Sequence, residues 1–201
     1  MQITENHLRV INIIFGLSID HASRTLSKTL KTGAKIEMVR ASVIDISKIT
    51  EQMNENPREV SGAFVSLEGD VPLKLLFLIP LQGVFRLTDL FMRKPLGTTT
   101  EFNEFTESVV QEVGNILASS ISNVMVSDFG VKTSLSSPTV RNDFAGTIFS
   151  MFVMEEAMIT DDLLLIETRF EVSKTELECC LFLLPRISSL EATIGKIEVC
   201  K

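Results

Sequence analysis

Two apolar pentapeptides of nearly the same composition, Leu76-Phe77-Leu78-Ile79-Pro80 and Leu181-Phe182-Leu183-Leu184-Pro185, stand 105 residues apart in a chain of 201. Another apolar run precedes each of them, Gly62 to Leu67 and Leu163 to Phe170. A polar turn near Glu68-Gly69-Asp70 or Ser173-Lys174 separates the two runs, which is the pattern of a β-hairpin. Each half opens with a long helical pattern, about Glu5 to Lys31 and about Phe105 to Met125, and closes with a short one, about Leu81 to Arg93 and about Ile187 to Glu198. Ala34 to Ile46 alternates as a strand would, with Ile36, Met38, Val43 and Ile44 on its buried side, and the polar run Ser47 to Glu59 holds a short helix or turn ending at Pro57. In the second half, Val131 to Thr139 is rich in serine. Its Pro138 fixes φ and lacks a ladder donor, which puts it at a strand end or edge. Asn142 to Ala157 is apolar and compatible with a helix. The chain thus reads as a tandem repeat, about 5–94 and about 101–198, joined by a linker at about 95–100 that carries Pro95, Gly97 and threonines. Duplicated halves sharing one core make a single domain over residues 1–201.

The long helix of the second half carries the candidate chemistry. If Thr106 to Met125 is helical, Ser108, Glu112, Asn115 and Ser119 follow at steps of four, three and four and form one polar stripe. Val109, Val113, Ile116, Ile121 and Val124 form the apolar stripe beside it. A carboxylate and a carboxamide can then face a partner together. A solvated polar face would explain the same pair, although the mid-helix glycine at 114 costs about 1 kcal/mol relative to alanine with no evident packing reward.

Ser108-x3-Glu112-x2-Asn115, followed after twenty-two residues by Pro138, resembles the motif of the CheC/CheX/FliY family of chemotaxis phosphatases, and the resemblance extends from about Leu8 to about Ile197. Phe64 to Pro80 and Glu176 to Pro185 resemble the family's two hairpins, and Glu112 to Ala118 its helix. The resemblance implies an α+β fold, a CheC-like domain of two repeats related by a pseudo-twofold axis, with long helices packed on a central antiparallel-rich sheet. It also implies removal of phosphate from the aspartyl-phosphate of a CheY-type response regulator. Glu112 and Asn115 would then be catalytic, Ser108 and Pro138 would support the motif, and magnesium would sit on the regulator rather than on this chain. A carboxamide suits such a task, since its oxygen accepts from water while its NH2 donates toward a phosphoryl oxygen.

The first half departs from the two-site family pattern. Through the ungapped repeat, Ser108, Glu112, Asn115 and Pro138 correspond to Arg9, Ile13, Gly16 and Val39, and sliding the helix by three puts Val10 and Ile13 at the key positions instead. Neither alignment yields a Glu-Asn pair, and Asn12 lacks a glutamate three residues before it, so the first site reads as degenerate. Asp143-Phe144-Ala145-Gly146 through Ser150 resembles the helix by which CheC proteins engage CheD, where small residues would allow close approach; a buried crossover helix explains Phe144, Ile148, Phe149, Phe152 and Val153 equally well. Phosphatase, non-catalytic adaptor for CheD or phosphorylated CheY, and FliY-like switch component are the competing functions.

Composition narrows the rest. With 45% hydrophobic and 22% charged residues the chain is globular, and a net charge of −7 without a basic patch argues against nucleic acid or an anionic membrane as partner. Neither a leader nor a membrane span is evident, so the expected compartment is the cytoplasm. Cys179, Cys180 and Cys200 suit neither a disulfide framework nor a zinc site. His7 and His21 stand fourteen residues apart with no convergent ligands, which leaves no metal site in view and gives both histidines solvent-facing or helix-packing roles.

Overall fold

A computed structural model gives the fold and describes residues 5–55, 57–154, 162–172 and 175–185. The first half runs α1 (Glu5–Leu30), β1 (Ala34–Asp45), α2 (Ile46–Glu55), β2 (Glu59–Gly69), β3 (Leu73–Pro80) and α3 (Leu81–Met92). The second runs α4 (Glu104–Phe129), β4 (Thr133–Leu135), β5 (Thr139–Phe144), α5 (Ala145–Val153), β6 (Asp162–Val172) and β7 (Thr175–Pro185). Glu5 and Glu104 open α1 and α4 at an offset of 99 residues, and Leu30 and Phe129 close them at the same offset. The same offset relates β1 to the pair β4 and β5, Ala34 to Thr133 and Asp45 to Phe144, so the second half has broken in two the strand that the first half keeps whole. The turn at 173–174 and the closing helix expected at about 187–198 lie outside the described residues.

The seven strands among the described residues join one antiparallel sheet in the order β1-β6-β7-β3-β2, with β4 and β5 both paired to the outer side of β2. The opening strand of each half thus pairs with the hairpin of the other: β1 lies on β6, and β4 and β5 lie on β2. At the centre, Leu76 faces Phe182 and Phe77 faces Leu181. Exchanging the halves by the 105-residue offset of Pro80 and Pro185 maps this register onto itself, as twofold pairing requires.

Strand alternation builds a core on each face of the sheet. Leu73, Leu75, Phe77 and Ile79 of β3 and Leu177, Cys179, Leu181 and Leu183 of β7 pack with the apolar stripes of α1, α3 and α4. Leu76, Leu78, Phe182 and Leu184 point the other way, into a smaller core with Ile148, Phe149 and Phe152 of α5. Cys179 and Cys180 consequently sit on opposite faces, as adjacent strand residues must. Ring pairs tie these layers together, Phe77 of β3 with Phe170 of β6 at 5.5 Å within the sheet and Phe149 of α5 with Phe182 of β7 at 5.2 Å. Burying each such side chain contributes roughly 1.5–3 kcal/mol.

Both edges are interrupted at the same point of the repeat. In β1 the pairing with β6 shifts between Met38 and Arg40, leaving Val39 as the extra residue of a bulge. The position 99 residues later is Pro138, which separates β4 from β5. A bulge also inverts the alternation, which corrects the single buried face expected for β1. Ile36 and Met38 belong to the α1 side, Ile44 packs into the opposite core, and Val43 is exposed. Residues 142–144, expected to be helical, are strand, because β5 continues pairing with β2 until Phe144 meets Glu59.

The segment between the halves is tied down by one buried carboxylate. Asp89 Oδ2 accepts from the backbone N–H of Gly97 at 2.7 Å and of Thr98 at 3.1 Å. Its Oδ1 accepts from the Thr99 N–H at 2.9 Å and the Thr99 hydroxyl at 2.6 Å. Burial pushes the Asp89 carboxyl up, but the hydroxyl and the three N–H donors outweigh it and hold the group below the usual carboxylate range.

Candidate active site

The second-half helix starts from a fixed end. Asn103 caps α4, its side chain accepting from the N–H of Phe105 at 3.0 Å and of Thr106 at 3.1 Å, while the Thr106 hydroxyl accepts from the Asn103 N–H at 2.8 Å. From there the helix continues to Phe129, four residues beyond the expected end, and stops at Gly130 with φ 64°. Val109, Val113, Ile116, Ile121 and Val124 are buried against the sheet and α1. Ser108, Glu112 and Asn115 are exposed on the opposite side and Ser119 is half-buried, so the structure brings the motif residues onto one solvent-facing stripe. The Ser108 hydroxyl donates to the Glu104 carbonyl at 2.8 Å and is spent within the helix. Neither the Glu112 carboxylate nor the Asn115 carboxamide has a hydrogen-bond partner among the described residues, which leaves both open to an incoming molecule.

Gly114 has the packing reason that the sequence concealed. A Cβ there would stand 2.8 Å from the Ala63 Cβ of β2 and 3.9 Å from the Pro138 Cβ. Only a glycine lets α4 lie this close to the strand, and its cost in helix propensity is offset by that approach.

Pro138 is buried beside this contact, and its carbonyl accepts from Gln111 Nε2 at 2.9 Å. The serine-rich segment before it is fastened at both ends and in the middle. The Ser122 hydroxyl bonds the Thr133 hydroxyl; Ser136 exchanges bonds with Ser66, its N–H donating to the Ser66 carbonyl at 2.9 Å and its Oγ accepting from the Ser66 N–H at 2.9 Å. Running from Ser122 back to Gln111, residues 133–138 border the stretch of helix that carries Asn115 and Ser119. Gln111 and Ser136 were not singled out from the sequence, since neither belongs to the spaced motif and their bonds join residues 27 and 70 apart.

The helix is also one-signed. Across its 26 residues α4 carries Glu104, Glu107, Glu112 and Asp128 and no lysine, arginine or histidine. All four carboxylates are exposed.

On α1 the corresponding face is chemically different. Arg9, Asn12 and Asp20 are exposed, Ile13 and Leu17 are 43% and 42% exposed, and a Cβ on Gly16 would meet nothing within 4 Å. The side chain of Val10 lies outside the described residues, as does that of His7. His21 is half-buried between the two long helices, with Nδ1 3.2 Å from the Ser120 hydroxyl.

The segment from Asp143 to Ser150 is divided by the fold. Asp143 and Phe144 end β5, and Ala145 and Gly146 are buried at the start of α5. A Cβ on Gly146 would meet the Asn54 side chain of α2, so this glycine lies close against α2 within the chain. Phe144 and Ser150 remain exposed. Among the described residues no three His, Cys, Asp or Glu side chains converge as a metal would need, and no helix is long and apolar enough to cross a membrane.

No family model matches the chain. It is similar to the CheY-P phosphatase CheC of Bacillus subtilis, at 22% identity over 198 residues, covering 94% of this chain and 92% of that protein. In structure it is similar to FliY of Thermotoga maritima, with a TM-score of 0.77 and 16% identity over 100% of both chains. The FliM middle domain of H. pylori superposes with a TM-score of 0.65 at 11% identity, covering 96% of this chain and 99% of that one.

Proposed function

We propose, from the premise that this chain belongs to the CheC/CheX/FliY family, that it hydrolyses the aspartyl-phosphate of a CheY-type response regulator through Asn115 and Glu112. The observation that carries this reading is the pair itself: an unpartnered carboxamide and carboxylate, exposed on one stripe of a rigid helix whose depth is fixed by Gly114 on Ala63. Acyl phosphates need little covalent help. They need a water in line with phosphorus and compensation for the transferring charge.

In this mechanism Asn115 Oδ1 accepts a hydrogen bond from the attacking water while Nδ2 donates to a phosphoryl oxygen. Water oxygen bonds to phosphorus as the bond to the aspartyl oxygen breaks, releasing inorganic phosphate and a free carboxylate. Glu112, one turn back, accepts from a cationic group of the regulator and sets its orientation. Magnesium is held by the regulator's phosphorylation pocket, and the helix stripe supplies no metal ligand set of its own, a lone glutamate being a poor site for that ion.

Phosphate release from a phosphorylated CheY-type protein, with and without the chain, tests the reading. Asn115→Ala is expected to lower the rate by ~10²–10³ with unchanged thermal unfolding. Retention of more than half the wild-type rate by that variant would remove Asn115 from the mechanism. Ready hydrolysis of a small phosphomonoester by the isolated chain would contradict an active centre completed by the partner.

A second reading takes the chain as a binding module, an adaptor for a phosphorylated regulator or CheD, or a switch component. Its support is the likeness in fold to FliY and FliM. Binding of the phosphorylated regulator without acceleration of phosphate release would favour it.

A further inference from the structure

The motif stripe on α4 does not begin at Ser108. At 100° per residue, Phe105, Ser108, Glu112, Asn115 and Ser119 all fall within an arc of about 80°, with Phe105 only about 20° from Glu112. Phe105 is 47% exposed although it is among the largest apolar side chains in the chain. Its backbone is held firmly nonetheless, because its N–H is one of the two that the Asn103 cap accepts. An aromatic ring presented from a capped first turn loses little freedom when a partner covers it, which is the property of an interface anchor.

From these observations we propose that Phe105 is the apolar anchor of the docking face and determines affinity for the protein that brings its phosphoryl group to Asn115. This rests on the phosphatase reading for the identity of the partner. Charge selects the kind of surface. Because the stripe carries Glu112, with Glu104 about 20° beyond Asn115 on the helix circumference, and α4 has no cationic side chain, the complementary surface carries lysine or arginine around its phosphoacceptor. Geometry adds a second requirement. Ten residues separate Phe105 from Asn115, so the partner must offer an apolar recess about 15 Å from its phosphorylated carboxylate, measured along the helix.

The test uses the full chain and a phosphorylated CheY-type regulator with magnesium. Calorimetry gives Kd, and phosphate release gives KM and kcat. Phe105→Ala is expected to weaken binding and raise KM at least tenfold while kcat at saturation stays within twofold, with unchanged thermal unfolding. Leu96→Ala removes a comparably exposed apolar side chain, 52% accessible, from the loop between the halves and is expected to change neither constant. Wild-type Kd and KM in the Phe105→Ala variant would overturn the assignment, and so would equal losses from Leu96→Ala. Absence of regulator binding by the wild-type chain would overturn it as well. Binding that depends on Phe105 without any phosphate release would instead support the anchor and overturn the hydrolytic reading, so the two ideas fail separately.

Discussion

Gly114 sets two residue-scale effects against each other. Helix propensity alone says that Gly114→Ala should stabilise the chain by about 1 kcal/mol. Packing says the reverse, because the added methyl would sit 2.8 Å from the Ala63 Cβ, where two stiff elements meet and neither has a flexible tip to yield. Overpacking of this kind costs about 1–3 kcal/mol, so net destabilisation is expected in urea unfolding. Combining Gly114→Ala with Ala63→Gly removes the clash, and the double-mutant cycle should show favourable coupling of at least 0.5 kcal/mol. A single variant more stable than wild type would mean that α4 can lift from β2 at little cost. On the proposed hydrolytic reading, regulator turnover should fall with the single variant, since displacement of α4 also moves Asn115.

Between elements, the connection from α3 to α4 depends on Asp89. Its carboxylate receives three N–H groups and one hydroxyl from residues 97–99, which turns a Pro/Gly/Thr segment into an ordered loop. A carboxyl whose folded pKa lies below its unfolded value stabilises the native state above the unfolded pKa, near ~4. The contribution disappears as pH falls through the folded value. Asp89→Asn should therefore cost stability at pH 7, on the order of 2 kcal/mol for charge-assisted bonds. The difference from wild type should narrow below about pH 4. A gap independent of pH between 3 and 7 in denaturant titrations would show that the charge contributes nothing.

For the whole molecule, the exchange of opening strands between halves has a direct consequence. A fragment of residues 1–94 would keep β2 and β3 but would deprive β1 of β6, and it would strip β4 and β5 from β2. It would also expose the face of α1 that packs with α4 in the larger core. Such a fragment is expected to show no cooperative thermal transition. Cleavage within the exposed stretch near Leu96 should leave the two pieces associated and folded. A sharp transition in the isolated fragment would argue that each repeat has its own core.

Much of this was legible in the one-dimensional pattern, and the physical reason is local. Period-2 and period-3.6 alternation reports which elements form, so the paired pentapeptides announced β3 and β7, and the stripe from Ser108 to Ser119 announced the exposed face of α4. The spacing of Glu112 and Asn115 needed only helix geometry. Facts that depend on contacts between distant residues were not legible. Gly114 looked unrewarded because Ala63 lies 51 positions away in sequence. The bulge at Val39 scrambled the alternation of β1, and β5 claimed residues whose apolar run reads equally well as helix. Phe105 falls outside the spaced motif, and its exposure is set by how α4 lies on the sheet. Periodicity along the chain thus determined the elements and the polar face of α4, because each follows from neighbours within a turn or two. Tertiary structure alone decided how closely α4 approaches β2, which small residues are consumed by internal contacts and which side chains stay open, because those follow from steric fit between segments that meet only after folding.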